Sequence, residues 1–387
     1  MHIKTAYRVP LWHLTAQDTV IIRADCNVPS AQGIILDDAR LKALIPTMRQ
    51  IIASEARIII ITHWGRPKTY DASLSTKHIV AWFNAHNIPM AFCASEGDID
   101  NTPVIMLENI RFLDDTKAQA LIHRLGSIGT YFVHDGFSVM HRDDIFNTEL
   151  PLKFPHEKRS LGVSAYQEII NLDAFLQNIK KPALGIFGGA KLASKIDAIE
   201  TLSQQLCTTI ALLPAACFPV LRQSGIAIGK SYDDGTSPER IKTFKETVAN
   251  NHCTLITPQD LLVAEKNTYT PPYTTVAVSK VQPEQIGISF GPITTTLLKK
   301  EIDSAHTIII NGFVGFLDQP ASLEPFNNVL RHIAQTKPNA TLIAGGDTYG
   351  ALCKLGLAEK FPHYSLAGGA TLDYCAGNKL PGLEVLL

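Results

Sequence analysis

Short β-branched runs alternate with amphipathic stretches along this chain, and the alternation starts afresh near residue 182. In the first half, 20–23 (Val-Ile-Ile-Arg), 57–62 (Arg-Ile-Ile-Ile-Ile-Thr), 104–107 (Val-Ile-Met-Leu) and 131–134 (Tyr-Phe-Val-His) read as strands. Between them, 40–54, 77–86 and 117–125 carry apolar residues at helical spacing. Such an order favours a parallel sheet with helices on both faces, because parallel neighbours need a crossover long enough to hold a helix. In the second half, 184–187, 208–212, 254–256, 307–310 and 341–344 read as strands, with helices including 192–205, 325–336 and 349–355. The expected fold is α/β: two Rossmann-like three-layer domains, each a parallel sheet flanked by helices, joined by a helix and hinge. The expected boundaries are 1–165, a connecting helix over 166–181, and 182–370. A chain of 387 residues, 45% hydrophobic, has enough apolar material for a core in each domain.

Bulk charge excludes several partners. Lys and Arg number 35 against 36 Asp and Glu, so no global field recruits nucleic acid or a membrane surface. An anion site must therefore come from local placement of arginine and lysine. The cysteines Cys26, Cys93, Cys207, Cys217, Cys253, Cys353 and Cys375 form no Cys-x-x-Cys pair, which fits reduced thiols in a cytosol rather than a zinc ribbon. The first eight residues carry no apolar signal core, and no apolar run reaches membrane-spanning length. A soluble, cytoplasmic protein is expected.

Ligands of open α/β sheets bind beyond the carboxyl ends of the strands. Here those positions are densely polar. The first-half strands lead into Arg23, Asp25 and Asn27; His63, Gly65 and Arg66; Glu108, Asn109 and Arg111; and His134 and Asp135, with His141 and Arg142 soon after. Arginine or histidine at four strand ends of one domain points to an anion site, since the guanidinium fork pairs bidentately with phosphate or carboxylate. In the second half the segment 183–195, Ala-Leu-Gly-Ile-Phe-Gly-Gly-Ala-Lys-Leu-Ala-Ser-Lys, reads as a buried strand, a glycine turn and a helix from 192. Lys191 and Lys195, four apart, are expected on one face of its first turn. Lysines at the positive end of a helix dipole suggest a bound phosphate; the other reading of this segment is a strand-turn-helix junction with two solvated lysines. The stretch 225–231 (Gly-Ile-Ala-Ile-Gly-Lys-Ser) spaces its glycines by three residues where a P-loop needs four, and reads as a turn.

These motifs, in this order, resemble phosphoglycerate kinase over nearly the whole chain. The similarity rests on Asp25-x-Asn27-Val-Pro29, Asp38-Ala-Arg40, His63-x-Gly65-Arg66-Pro67, Glu108-Asn109-x-Arg111-Phe112, Gly188-Gly189-Ala-Lys191-x-x-x-Lys195, Phe290-Gly291-Pro292, Gly345-Gly346-Asp347-Thr348 and Ala367-Gly368-Gly369-Ala370. The resemblance implies reversible phosphoryl transfer between 1,3-bisphosphoglycerate and ADP, giving 3-phosphoglycerate and ATP, after the domains close. It implies an acid held in the N-terminal domain by Asp25, Asn27, Arg40, His63, Arg66, Arg111 and Arg142. It places the nucleotide in the C-terminal domain, near Gly188, Lys191, Lys195, Gly291, Asn311, Asp318, Gly345, Gly346, Asp347 and Thr348, with Mg²⁺ on Asp347. Arg40 and Lys195 are implied as the catalytic pair. The tail, about 371–387, ends like the family's and is expected to pack on the N-terminal domain. A monomer is expected.

The chain departs from the family pattern in several places. Where the family has Gly-Gly-Gly-Met-Ala against the adenine, 213–217 reads Leu-Pro-Ala-Ala-Cys. The family's Glu near the ribose is replaced by Asp318. Its Asn-Asp-Ala-Phe has become His134-Asp135-Gly136-Phe137, and its His-Arg-Ala-His has become His141-Arg142-Asp143-Asp144. The two added carboxylates either oppose the acid or lie solvated in a loop. The losses fall on the base and ribose side, which predicts altered nucleotide affinity before lost chemistry. The alternative function is a degenerate kinase that senses or scaffolds a phosphorylated acid or nucleotide without turnover.

Overall fold

The computed structural model of the chain describes residues 13–265, 269–316 and 318–386. The first eight residues, read above for targeting, lie outside them. The chain divides into two compact units, residues 1–170 with 379–387, and residues 171–378. The helix Val163–Gln177 carries the chain across the boundary between them; it begins and ends earlier than the expected 166–181. The tail is shared: 371–378 belongs to the second unit and 379–387 to the first.

The first unit is built on six parallel strands in the spatial order Ala91–Cys93, Val104–Leu107, Arg57–Ile61, Thr19–Ala24, Tyr131–Asp135, Arg159–Leu161. Thr19–Ala24 is buried at every position, as a central strand covered on both faces must be. Its core joins Ile22, Ile58 and Ile60 of the sheet to Met48 and Phe83 of the helices Ala39–Ile52 and Lys77–Ala85. The last turns of the chain dock here, where Arg159 donates to the Val385 carbonyl at 2.9 Å and Gly382 N–H to the Met140 carbonyl at 2.9 Å.

The second unit carries another six parallel strands, ordered Thr254–Ile256, Thr209–Ala215, Ala183–Gly189, Thr307–Asn311, Thr341–Ala344, His363–Ser365. In chain order this is 3-2-1-4-5-6, so the winding reverses between Ala183–Gly189 and Thr307–Asn311 and opens a crevice at their carboxyl ends. Ile186, Ile310 and Ile343 pack against Leu298 and Phe326 of the helices Pro292–Ser304 and Pro320–Thr336.

The short strands Ala91–Cys93, Arg159–Leu161 and His363–Ser365 are absent from the sequence reading, because three residues at a sheet edge carry too little periodicity to register. Also absent is a small antiparallel sheet of Tyr273–Ala277, Asp260–Ala264 and Ile286–Phe290. That sheet does structural work. Asp260, buried on its central strand, accepts hydrogen bonds from the Ile293 and Thr294 N–H groups at 2.9 and 2.8 Å, and so caps the helix Pro292–Ser304 from outside it. Gly291 has no side chain for a reason: a Cβ there would lie 2.3 Å from Asp260 Oδ2. Asp260→Ala orphans both N–H groups and is expected to lower stability by about 1–3 kcal/mol, with Asp260→Asn losing less. Urea midpoints of the three proteins check this; equal midpoints would remove the capping role.

Candidate functional site

In the first unit, four adjacent strand ends converge. Asp25 follows Thr19–Ala24, His63 and Arg66 follow Arg57–Ile61, Arg111 sits in the turn Ile110–Phe112 after Val104–Leu107, and Arg142 follows Tyr131–Asp135. Arg40 enters from the first turn of the helix Ala39–Ile52. Asp25 organises the centre. Its Oδ2 takes hydrogen bonds from Arg40 Nη1 and Ser138 Oγ, and its Oδ1 accepts the Asn27 N–H at 3.0 Å. Burial opposes ionisation of this carboxyl, but Arg40, His63 and these donors outweigh it and hold its pKa well below the usual carboxylate range.

The second and third strand ends are tied by amides. Asn27 Oδ1 accepts the Gly65 N–H at 2.8 Å. Buried Asn109 accepts the N–H groups of Trp64 and Arg111, both at 3.1 Å, and donates to the carbonyls of Trp64 at 2.7 Å and Leu74 at 3.0 Å. Arg111 donates to the Gly65 carbonyl. The loop carrying His63 and Arg66 is therefore fixed through its backbone by two amides and the Arg111 guanidinium. Arg66 projects exposed.

Positive charge dominates this pocket. Burial first, then Arg142, Arg23 and Arg66, pull the Arg111 pKa down to about 10. His63 is buried, and among the described residues neither ring nitrogen has a hydrogen-bond partner. Burial pushes its pKa well below the ordinary histidine value, with Arg23, Arg111 and Arg142 adding to the fall and Asp25 opposing it. A buried imidazole beside several arginines offers an N–H that an anion can accept. Asp144 resolves as a helix cap: its side chain accepts the N–H groups of Phe146 at 3.1 Å and Asn147 at 3.2 Å, and Asn147 Nδ2 at 2.8 Å. Asp143 is exposed.

In the second unit the crevice at the winding reversal holds the lysine segment. The structure corrects the expectation of one helix from 192. Lys191 adopts a left-handed conformation at φ +66°, Leu192–Ser194 forms a 3-10 turn, and the helix runs Ile196–Gln205 with Lys195 at its N-cap. Gly189 at φ +75° and Lys191 make the chain turn away from the strand before a helix can start. The two lysines thus do not share a helical face; Lys191 is exposed, while Lys195 is partly buried and donates from Nζ to the Gly188 carbonyl at 2.8 Å. Burial lowers the Lys195 pKa to about 8, with Asp347 opposing the fall.

Gly312 lies beside these groups, with the backbones touching: a Cβ there would sit 2.3 Å from the Gly188 oxygen and 3.1 Å from Lys195 Nζ. The Gly312 N–H donates to Thr348 Oγ1 at 3.0 Å. Asn311 donates to the Ala344 carbonyl at 2.9 Å and leaves a buried Oδ1 without a partner. Gly345, at φ +109°, opens the helix Gly346–Lys354, whose first turn exposes the Asp347 carboxylate. Gly188, Lys195, Asn311, Gly345, Gly346, Asp347 and Thr348 therefore belong to one neighbourhood. Gly291 and Asp318 have other neighbours, Asp260 and Tyr273 respectively. The divergent segment 213–217 closes the strand Thr209–Ala215 at an irregular register, with Leu213 in the core and Ala216 and Cys217 buried.

Sequence reasoning missed Ser138, whose partner Asp25 is 113 residues away, and gave Asn109 no role. Asn109 carried a signal, since it stands beside Arg111 in a quoted motif. Ser138 carried none.

Comparison with known proteins agrees with this geometry. The model of the phosphoglycerate kinase family matches residues 13–378. A phosphoglycerate kinase of Azorhizobium caulinodans is 29% identical, covering 95% of this chain and 96% of the relative. One from Mycobacterium sp. (strain KMS) is 31% identical, covering 95% and 94%. The structure of phosphoglycerate kinase from Coxiella burnetii aligns with a TM-score of 0.73 at 26% identity, over 96% of this chain and 97% of that one. The enzyme from Pyrococcus horikoshii OT3 aligns at 0.82 over 98% of each chain; at 22% identity it speaks to the fold. Two wound sheets, the strand-end chemistry and these matches together show that the chain belongs to the phosphoglycerate kinase family, phosphotransferases with a carboxyl group as acceptor.

Proposed function

We propose that this chain transfers a phosphoryl group directly between the carboxyl of 3-phosphoglycerate and an adenine nucleotide, forming and consuming 1,3-bisphosphoglycerate. The first unit, about 1–165 in the sequence reading, takes the acid, and the second, about 182–370, takes the nucleotide. The observation that carries this reading is the buried His63, whose ring nitrogens have no hydrogen-bond partner among the described residues and which stands among Arg23, Arg111 and Arg142.

In this reading Asn27, His63, Arg66, Arg111 and Arg142 bind the phosphate and carboxylate of the acid, with Asp25 oriented by Ser138 toward its hydroxyl. Arg40 is directed by its contact with Asp25, and stabilises the equatorial oxygens of the group in flight. Lys195 does the same from the nucleotide side, while Lys191, Gly345, Gly346 and Thr348 line the phosphates. Gly291 and Asp318 flank the base and ribose. Mg²⁺ fits the residues present: Asp347 offers an exposed carboxylate and Asn311 an unpartnered Oδ1, and this metal takes one or two protein oxygens alongside phosphates. When bound it neutralises phosphate charge. Direct transfer requires the acyl phosphate and nucleotide to meet with water excluded. Among the described residues no helix is long and apolar enough to cross a membrane, and a cytoplasmic monomer fits the reading.

Arg40→Ala and Lys195→Ala are each expected to lower kcat by at least about a hundredfold in a coupled assay of ATP formation. Near-normal turnover in either variant would remove these roles. Lys195 is charged below about pH 8 and loses its proton above it, so kcat/KM for nucleotide is expected to fall as pH rises through about 8. Lys195→Arg, always charged, should move that limb up by at least about one pH unit, whatever its absolute rate. Because 213–217 and Asp318 alter the base and ribose side, a raised KM for ADP with kcat retained is expected, and weak discrimination among ADP, GDP and IDP. Tight, ADP-selective saturation would show those substitutions to be neutral.

A further inference from the structure

The turn that presents Lys191 and Lys195 is not held by helix geometry, because the helix starts only at Ile196. It needs other anchors. Leu192 supplies one, its side chain fully buried. The other comes from 41 residues further along the chain: Asp234 Oδ2 accepts the Ala193 N–H at 2.8 Å. Asp234 is itself fixed. Its Oδ1 accepts the Thr236 N–H at 3.0 Å and the Thr236 hydroxyl at 2.6 Å. Thr236 is buried, and its carbonyl accepts from Arg222 Nη2 at 2.9 Å; Arg222 also pairs with Asp233. Arg222 lies in the helix Phe218–Gln223, which follows the divergent 213–217 segment directly.

A continuous set of contacts therefore runs from the base-side segment, through Arg222, Thr236 and Asp234, to the backbone between the two lysines. We propose that Asp234 is a positioning residue for the nucleotide: it fixes the Ala193 peptide so that Lys195 stays over the Gly188 carbonyl and beside Asp347. This rests on the phosphoryl-transfer reading above. Asp234 acts through the backbone, for its carboxylate is occupied by Ala193 and Thr236 and makes no ion pair with either lysine among the described residues. Its removal should loosen the turn while leaving the charge of the lysines in place. The acid site, in the other unit, should not respond.

The experiment is steady-state kinetics of Asp234→Ala, Asp234→Asn and Lys195→Ala, varying nucleotide and acid separately. Asp234→Ala is expected to raise the nucleotide KM at least about fivefold and leave the KM for 3-phosphoglycerate within about twofold. Asp234→Asn keeps an oxygen able to accept the Ala193 N–H and should restore most of the nucleotide affinity. An unchanged nucleotide KM in Asp234→Ala, or equal rises for both substrates, overturns the proposal. If Asp234→Ala does not fold, Thr236→Val, which removes only one donor to Asp234, must show the same split between the two KM values; otherwise the proposal falls. Lys195→Ala separates this role from the reading beneath it. Lost turnover there with a neutral Asp234→Ala sinks only the positioning role, whereas retained turnover sinks the assignment of the turn itself.

Discussion

At Gly312 the backbone passes so close to the Gly188 carbonyl that no side chain fits between them. These residues end neighbouring parallel strands at the point where the winding of the second sheet reverses. The close approach brings the Lys195 ammonium, the Asn311 amide and the Thr348 hydroxyl onto a small area of bare backbone. A Cβ at Gly312 would push the strand ends apart and dismantle that surface, whereas one at Gly188 would meet the Val314 side chain at 2.9 Å. The chain then turns left-handed through Gly189 and Lys191 before a helix begins.

The first unit solves the same problem with amides in place of bare backbone. Asn27 and Asn109 each bridge different loops, and the Arg111 guanidinium adds a contact to the Gly65 carbonyl, so the strand ends are cross-linked largely through amides. The consequence is electrostatic. Arginines crowd one another, and burial with that crowding depresses the pKa of Arg111. Asp25, the carboxylate at the centre, accepts from Arg40, Ser138 and a backbone N–H. Net positive charge with unfilled donors is costly in isolation and favourable once a phosphorylated acid arrives, because a desolvated cation gains more from an anion than a hydrated one does.

Divergence in this chain is uneven. Groups that would act on the moving phosphoryl are kept, whereas 213–217 has exchanged bare backbone for packed side chains. The carboxylate of Asp144 is absorbed into a helix cap two residues after Arg142, while its charge also acts on Arg111 and Arg23. His134, at the end of a central strand, is likewise absorbed, 3.2 Å from the Asn147 amide oxygen that also accepts from Arg23. Buried polar substitutions of this kind survive because each finds a partner.

Read alone, the sequence determined the two wound sheets and the chemistry at their strand ends, because apolar period, glycine turns and cation placement are local properties. It also carried the family resemblance. It did not reveal the short edge strands, the start of the helix after Lys195, or the roles of Ser138, Asp234 and Asp260. Those depend on partners 113, 41 and 33 residues away, which only the folded chain brings within hydrogen-bond distance. Nor did composition say which cations are desolvated. Lys191 and Lys195 look alike in the sequence, yet one is exposed and the other has its pKa pulled to about 8, because burial belongs to the packing of the tertiary structure and not to residue type.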